Sequence, residues 1–122
     1  MTLRLRKLVC GAQTGADRAA LDVALDHGLE IGGWVPRGRL AEDGVIPARY
    51  SGLRETESAD AAKPLLHLDL TTLTLADAAH RLRQWLDAVD PEVLNVAGPR
   101  ASEDPRIAAA VTTLLRDSLS SD

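Results

Sequence analysis

A chain of 122 residues, 45 % apolar and 26 % charged, has the size and composition of one soluble globular domain. Its 14 basic against 18 acidic residues, a formal net charge of −4, supply no basic face for nucleic acid, so no specific nucleic-acid partner is expected. A single cysteine, Cys10, excludes a disulfide framework and a Cys-based metal cluster and fits a reduced, cytoplasmic setting.

Leu3 to Cys10 alternates and then turns apolar, which predicts a buried strand. Ala16 to His27 follows with Leu21, Ala24, Leu25 and Gly28 on one helical face, and Gly28 is a natural stop. "LEIGGWVP" predicts a short strand interrupted by Gly32-Gly33. Residues 36–63 carry no sustained period and are expected to be irregular, which in a compact domain marks a functional loop or a misread element. "PLLHLDL", Pro64 to Leu70, predicts a strand. Thr74 is placed to cap a helix with Leu75, Ala78, Ala79, Leu82, Leu86 and Val89 as its apolar stripe. "VLNVAG" predicts a strand. Asp104-Pro105 predicts the start of a last helix with Ile107, Val111, Leu114 and Leu115 facing inward. No apolar run approaches the roughly 20 residues of a membrane span, and no signal-type leader is expected.

Alternating strands and helices favour a parallel sheet with helices on both faces. The expected fold class is α/β, a Rossmann-like three-layer sandwich with a mostly parallel sheet of about four strands. It forms one domain over residues 1–122.

Two turns carry the chemistry. Between the first strand and helix lies "CGAQTGAD". Glycine lets backbone approach a ligand, and a helix N-terminus offers N–H groups and partial positive charge. Gly11, Gly15 and the amides from Gln13 to Asp17 are thereby placed as an anion cradle. Thr14 adds a hydroxyl, and Asp17 suits a ribose hydroxyl or the orientation of Arg18. The alternative is a tight turn without a ligand. The spacing Gly-x-x-x-Gly is neither the P-loop nor the dinucleotide fingerprint. The second turn, "VAGPRAS", repeats the logic with Gly98, Arg100 and Ser102, and Arg suits bidentate recognition of phosphate. Its alternative is a loop Arg paired with Glu103 or Asp104. In a doubly wound sheet both turns lie at the carboxyl edge, where ligands bind.

In the middle segment Arg37 and Arg39 are candidates to bring positive charge over the cradle. Glu42, Asp43 and Glu55 are candidate acid/base groups, against the alternative of solvated surface charges. His27, His67 and His80 are not at metal-ligand spacing, and no metal site is expected. Asp69 either faces a ligand or caps Thr71-Thr72. No catalytic residue is assigned.

The run from Cys10 to Thr56, with Gly11 to Arg18 and "GGWVPRGRLAEDG" as its most specific parts, resembles the "putative molybdenum carrier" family. This family is also described as circularly permuted YpsA-like, within Rossmann-like proteins that include the LOG type. "PLLHLDL" and "VLNVAGPRAS" resemble its later strands. The resemblance implies a carrier for a nucleotide-like or pterin-phosphate ligand, the molybdenum cofactor by name, and brings Gly33 and Trp34 into the set of ligand-binding residues. A binding protein is expected rather than a catalyst. The alternatives are a LOG-like nucleotide N-glycosidic hydrolase and a ligand-free assembly domain. Against the family pattern, a strand, a glycine-rich turn and most of a helix are missing where Asp60 runs into Lys63-Pro64. A sheet so shortened exposes an edge or an apolar face, so a homo-oligomer is expected.

Overall fold

A computed structural model describes residues 3–35, 38–50, 53–55 and 65–119. Strand β1, Lys7–Val9, leads into helix α1, Ala16–Asp26, and strand β2, Glu30–Val35. Two-residue strands β3, Leu40–Ala41, and β4, Gly44–Val45, form an antiparallel hairpin. Strand β5, Leu53–Glu55, precedes helix α2, Leu75–Val89, strand β6, Val93–Asn95, and helix α3, Ile107–Leu119.

The main sheet has four strands in the order β5-β2-β1-β6, and every pairing is parallel. Leu8 stands beside Ile31 on one side and Leu94 on the other. Side chains alternate between faces of a strand. Leu8 and Leu94 therefore share a face with Ile31 and Val35, and this face is buried apart from the half-buried Ile31. Helix α1 lies against β1 and β2, and α3 packs between α1 and α2. The other face carries Lys7, Val9, Val93 and Trp34. It is the less covered one, with Val93 42 % and Trp34 46 % exposed.

The α/β class and the parallel sheet are as expected. Three of the four expected strands form, and three readings need correction. Residues 65–69 take no strand, although the expected alternation is visible in their burial, exposed and half-buried in turn. Leu66, Leu68 and Leu70 rest on the core, but the backbone of residues 65–69 joins neither edge strand, β5 or β6. The sheet's fourth strand is Leu53–Glu55, within the segment expected to be irregular. β2 runs unbroken through Gly32-Gly33, because both glycines keep strand pairing. The missing-segment expectation at Asp60 to Lys63 lies outside the described residues.

The helices follow their end signals, but Leu25, expected on the inward face of α1, is 42 % exposed and Leu75, expected in the stripe of α2, is 36 % exposed. Thr74 caps α2 by accepting a hydrogen bond from Asp77 N at 3.1 Å. Asp90, in the left-handed conformation, ends it and ties to Arg4 at 2.8 Å. Helix α3 starts at Ile107, two residues after Pro105, with a turn held by Asp104 Oδ1 accepting from Arg106 N.

The described stretch 38–50 of this segment is held by two side chains. Tyr50 is wholly buried, and its hydroxyl donates to Asp22 Oδ1 at 2.7 Å. Burial, with the neighbouring Asp22 carboxylate, raises the Tyr50 pKa. Arg39 donates to the carbonyls of Pro47 and Tyr50, each at 3.1 Å. Arg39 is therefore a loop staple and not a charge over the cradle. Arg37 lies outside the described residues.

Candidate functional site

Because all strands of the sheet run parallel, the loops after β1, β2 and β6 leave from the same edge. β2 lies on one side of β1 and β6 on the other, so the turns following β1 and β6 face each other, as at the switch point of a doubly wound sheet.

The two turns interlock. Pro99 O accepts from Ala16 N at 3.2 Å and so caps α1, whose N-cap residue Gly15 has no side chain to do it. Thr14 Oγ accepts from Ala101 N at 3.1 Å. A Cβ on Gly15 would lie 2.5 Å from Pro99 O, and one on Gly98 would lie 2.7 Å from the Ala16 Cβ. The glycines thus serve the approach of one turn to the other. The left-handed residues of the first turn are Ala12, at φ 58°, and Gly15, at φ 82°.

The amides expected to point outward are held from within. Asp17 Oδ2 accepts from Gln13 N at 3.3 Å. Gln13 Oε1 accepts from Thr14 N at 3.1 Å and from Glu42 N at 2.8 Å. Gln13 O accepts from Arg18 N. The expected open cradle of backbone amides is therefore corrected: the chain fills it with its own acceptors, Asp17, Gln13 and Pro99. Asp17 does not orient Arg18 with its side chain. The Arg18 guanidinium donates to Ala12 O at 3.2 Å and to Asp43 at 2.8 Å.

Asp17 is buried, and its Oδ1 has no hydrogen-bond partner. Burial raises its pKa, against the lowering effect of the Gln13 and Gly11 amides. Its proton is held more tightly in the folded chain than in the unfolded one. This group therefore favours folding in acid and opposes it increasingly as pH rises past its ordinary value. Asp17→Asn, with no charge to desolvate, is expected to be more stable than the wild type at neutral pH. The difference should shrink towards about pH 4, as urea unfolding at several pH values would measure. Burial also pushes the Cys10 thiol up to about 12, so with no metal bound it stays a neutral, unreactive thiol.

Glu42 joins the two turns. It sits with Asp43 at the two-residue turn between β3 and β4. Its carboxylate accepts from Thr14 Oγ, from Ser102 Oγ and from Ser102 N, the last at 3.1 Å. These bonds, Ser102 first and then Thr14, hold its pKa below the usual carboxylate range, and the positive charge of Arg100 adds to the effect. The Arg18 hydrogen bond lowers Asp43 likewise. The Arg100 guanidinium forms no ion pair among the described residues, and only its backbone meets Glu103, donating from N at 3.0 Å.

Thr14 and Ser102 thus come together on Glu42, and of the Arg100 side chain only its charge bears on the carboxylate. Gly11, Gln13, Gly15, Asp17, Arg18 and Gly98 build the frame. Gly33 sits beneath it, where a Cβ would meet Cys10 O, while the Trp34 side chain is on the open sheet face. Asp69 caps its own turn by accepting from Thr71 N and Oγ. Sequence reasoning placed Glu42 in the middle segment without linking it to the turns. Its signal was the "LAEDGV" hairpin, a polar pair followed by Gly44, which sets both carboxylates at one tip.

The fold and the facing turns define a Rossmann-like α/β protein. The profile of the Circularly permutated YpsA SLOG family matches residues 8–63 and 56–119, and the chain belongs to that family. The two matched stretches overlap at residues 56–63. A crystal structure at 1.45 Å, "Putative molybdenum carrier protein" from Syntrophus aciditrophicus SB, is similar over 98 % of each chain, at 35 % identity and a TM-score of 0.88. No curated protein matches. None of the described helices is long and apolar enough to cross a membrane.

Proposed function

We propose that the chain is a cytoplasmic carrier that binds a phosphate-bearing small molecule, nucleotide-like or pterin, at the carboxyl edge of its sheet. The molybdenum cofactor is the cargo that the name of the similar protein suggests. One observation carries the reading: Thr14 Oγ, Ser102 N and Ser102 Oγ converge on a single anion, the Glu42 carboxylate, with the Arg100 charge beside it. Hydroxyl, amide and guanidinium donors around one anionic group are what a phosphate requires. The described residues include no group of three or more His, Cys, Asp or Glu able to hold a metal, and the Cys10 thiol stays protonated. The phosphate is therefore the handle these residues offer to a metal-bearing pterin. The exposed Val93 and Trp34 favour a second copy of the chain as a partner for the open face.

Isothermal calorimetry with nucleoside monophosphates and pterin phosphates tests the reading. Arg100→Ala is expected to weaken binding by roughly ten- to a hundredfold, the range for losing one hydrogen bond to a charged group. The absence of heat with every phosphate ligand would overturn it.

A further inference from the structure

The group now held at the facing turns belongs to the chain itself. Glu42 reaches them from the tip of a hairpin that is fastened in three ways. Its carboxylate accepts from Thr14 and Ser102, and Asp43 beside it pairs with Arg18 at the first turn of α1. Its backbone N donates to Gln13 Oε1 at 2.8 Å. All of these ties are polar, and both carboxylates are exposed.

The hairpin has little else to hold it down. Its paired residues Leu40 and Val45 are exposed, and of its four strand residues only the small Ala41 rests on the core, so lifting the tip uncovers little apolar surface. The base is fixed. Ile46 is buried, and Arg39 bonds the carbonyls of Pro47 and Tyr50. Gly44 is left-handed, at φ 116°, with open space around it, and Gly38 before the hairpin is left-handed at φ 83°. A tip with polar fastenings, a firm base and glycines at its bends has the features of a hinged strap.

We infer that Glu42 is an internal competitor for the anion site, and that the β3–β4 hairpin is a strap displaced when a phosphate monoester binds. The inference rests on the phosphate reading of the site. A phosphate brings three oxygens and up to two negative charges to donors that now hold one carboxylate. The two anions exclude each other there, by contact and by charge. An empty carrier therefore keeps its donors satisfied, and ligand affinity is set by a difference between two anions.

The test titrates inorganic phosphate and AMP, separately, into the wild type, Glu42→Ala and Glu42→Gln, with hydrogen exchange followed at residues 38–45. Both variants should bind AMP about tenfold more tightly than the wild type. In the wild type, AMP should speed exchange at Glu42 and Asp43 while slowing it at Ser102. Equal or weaker binding by both variants would overturn the inference and leave the phosphate reading standing, because Glu42 would then be a bystander or a ligand contact. Slower exchange across the hairpin on binding would also overturn it, since the strap would then close over the ligand. No binding by any of the three proteins would overturn both readings together.

Discussion

Gly33→Ala is expected to destabilise the domain by about 3 kcal/mol or more, from backbone strain and overpacking combined. Gly33 has φ 134°, a region that side chains rarely adopt. A Cβ there would stand 2.0 Å from Cys10 O and 2.8 Å from Cys10 N. Those atoms are backbone of the residue just past β1, where Cys10 N donates to Gly32 O at 3.2 Å. Relief would require β1 and β2 to part at the edge that sets the first turn. A domain of this kind holds only about 5–15 kcal/mol in all, so the variant should be marginal. Urea unfolding beside Gly28→Ala gives the control. Gly28 has φ 74° but nothing within 4 Å of its would-be Cβ, so only strain of about 1 kcal/mol is expected there. Equal midpoints for the two variants would show that the contact with Cys10 carries no weight.

The second large effect is expected at Tyr50. Tyr50→Ala should cost about 3–5 kcal/mol, the usual range for emptying a buried aromatic site. Tyr50→Phe keeps the ring and loses the hydroxyl bond to Asp22, at about 1 kcal/mol. The Arg49 guanidinium, whose centre lies 4.8 Å from the ring centroid and which donates to the hydroxyl at 2.6 Å, helps hold the ring in place. Thermal unfolding of the pair separates packing from polar anchoring. If Tyr50→Phe matched Tyr50→Ala, the polar contacts and not the ring would be organising the segment.

These two sites differ in how far the sequence announced them. α1 and α2 were legible because their apolar stripes and stops agree with local preference: Leu21 and Ala24 face the core, and Thr74 caps where a cap was expected. β1 and β6 were legible as apolar runs closed by glycine turns. Leu53-Arg54-Glu55 was not, because three residues with two charges carry no period. It is a strand through its parallel pairing with Gly33–Val35. The reverse holds for residues 65–70. Their alternation correctly gave one half-buried side, but alternation reports burial and not hydrogen bonding, and Leu65 is left 86 % exposed.

The candidate site shows the same limit. That the two glycine turns meet follows from a parallel sheet, and it was readable. What fills the space between them was not, because Glu42 comes from a segment whose order depends on Ile46, Tyr50 and Arg39 packing at a distance in sequence. A glycine in a strand–helix turn reads alike whether it makes room for a ligand or for another turn. Gly15 makes room for Pro99 and Ala101.

The central strand has a consequence for how the chain is made. Its second neighbour arrives late: Arg4, just ahead of β1, bonds Asp90 across a separation of 86 residues. At ordinary rates of translation, the nascent chain spends on the order of ten seconds with one side of β1 unpaired. Through that interval Leu8 has only half its sheet, so a ribosome stalled near Asp90 would release a polypeptide that chaperones and proteases treat as unfolded.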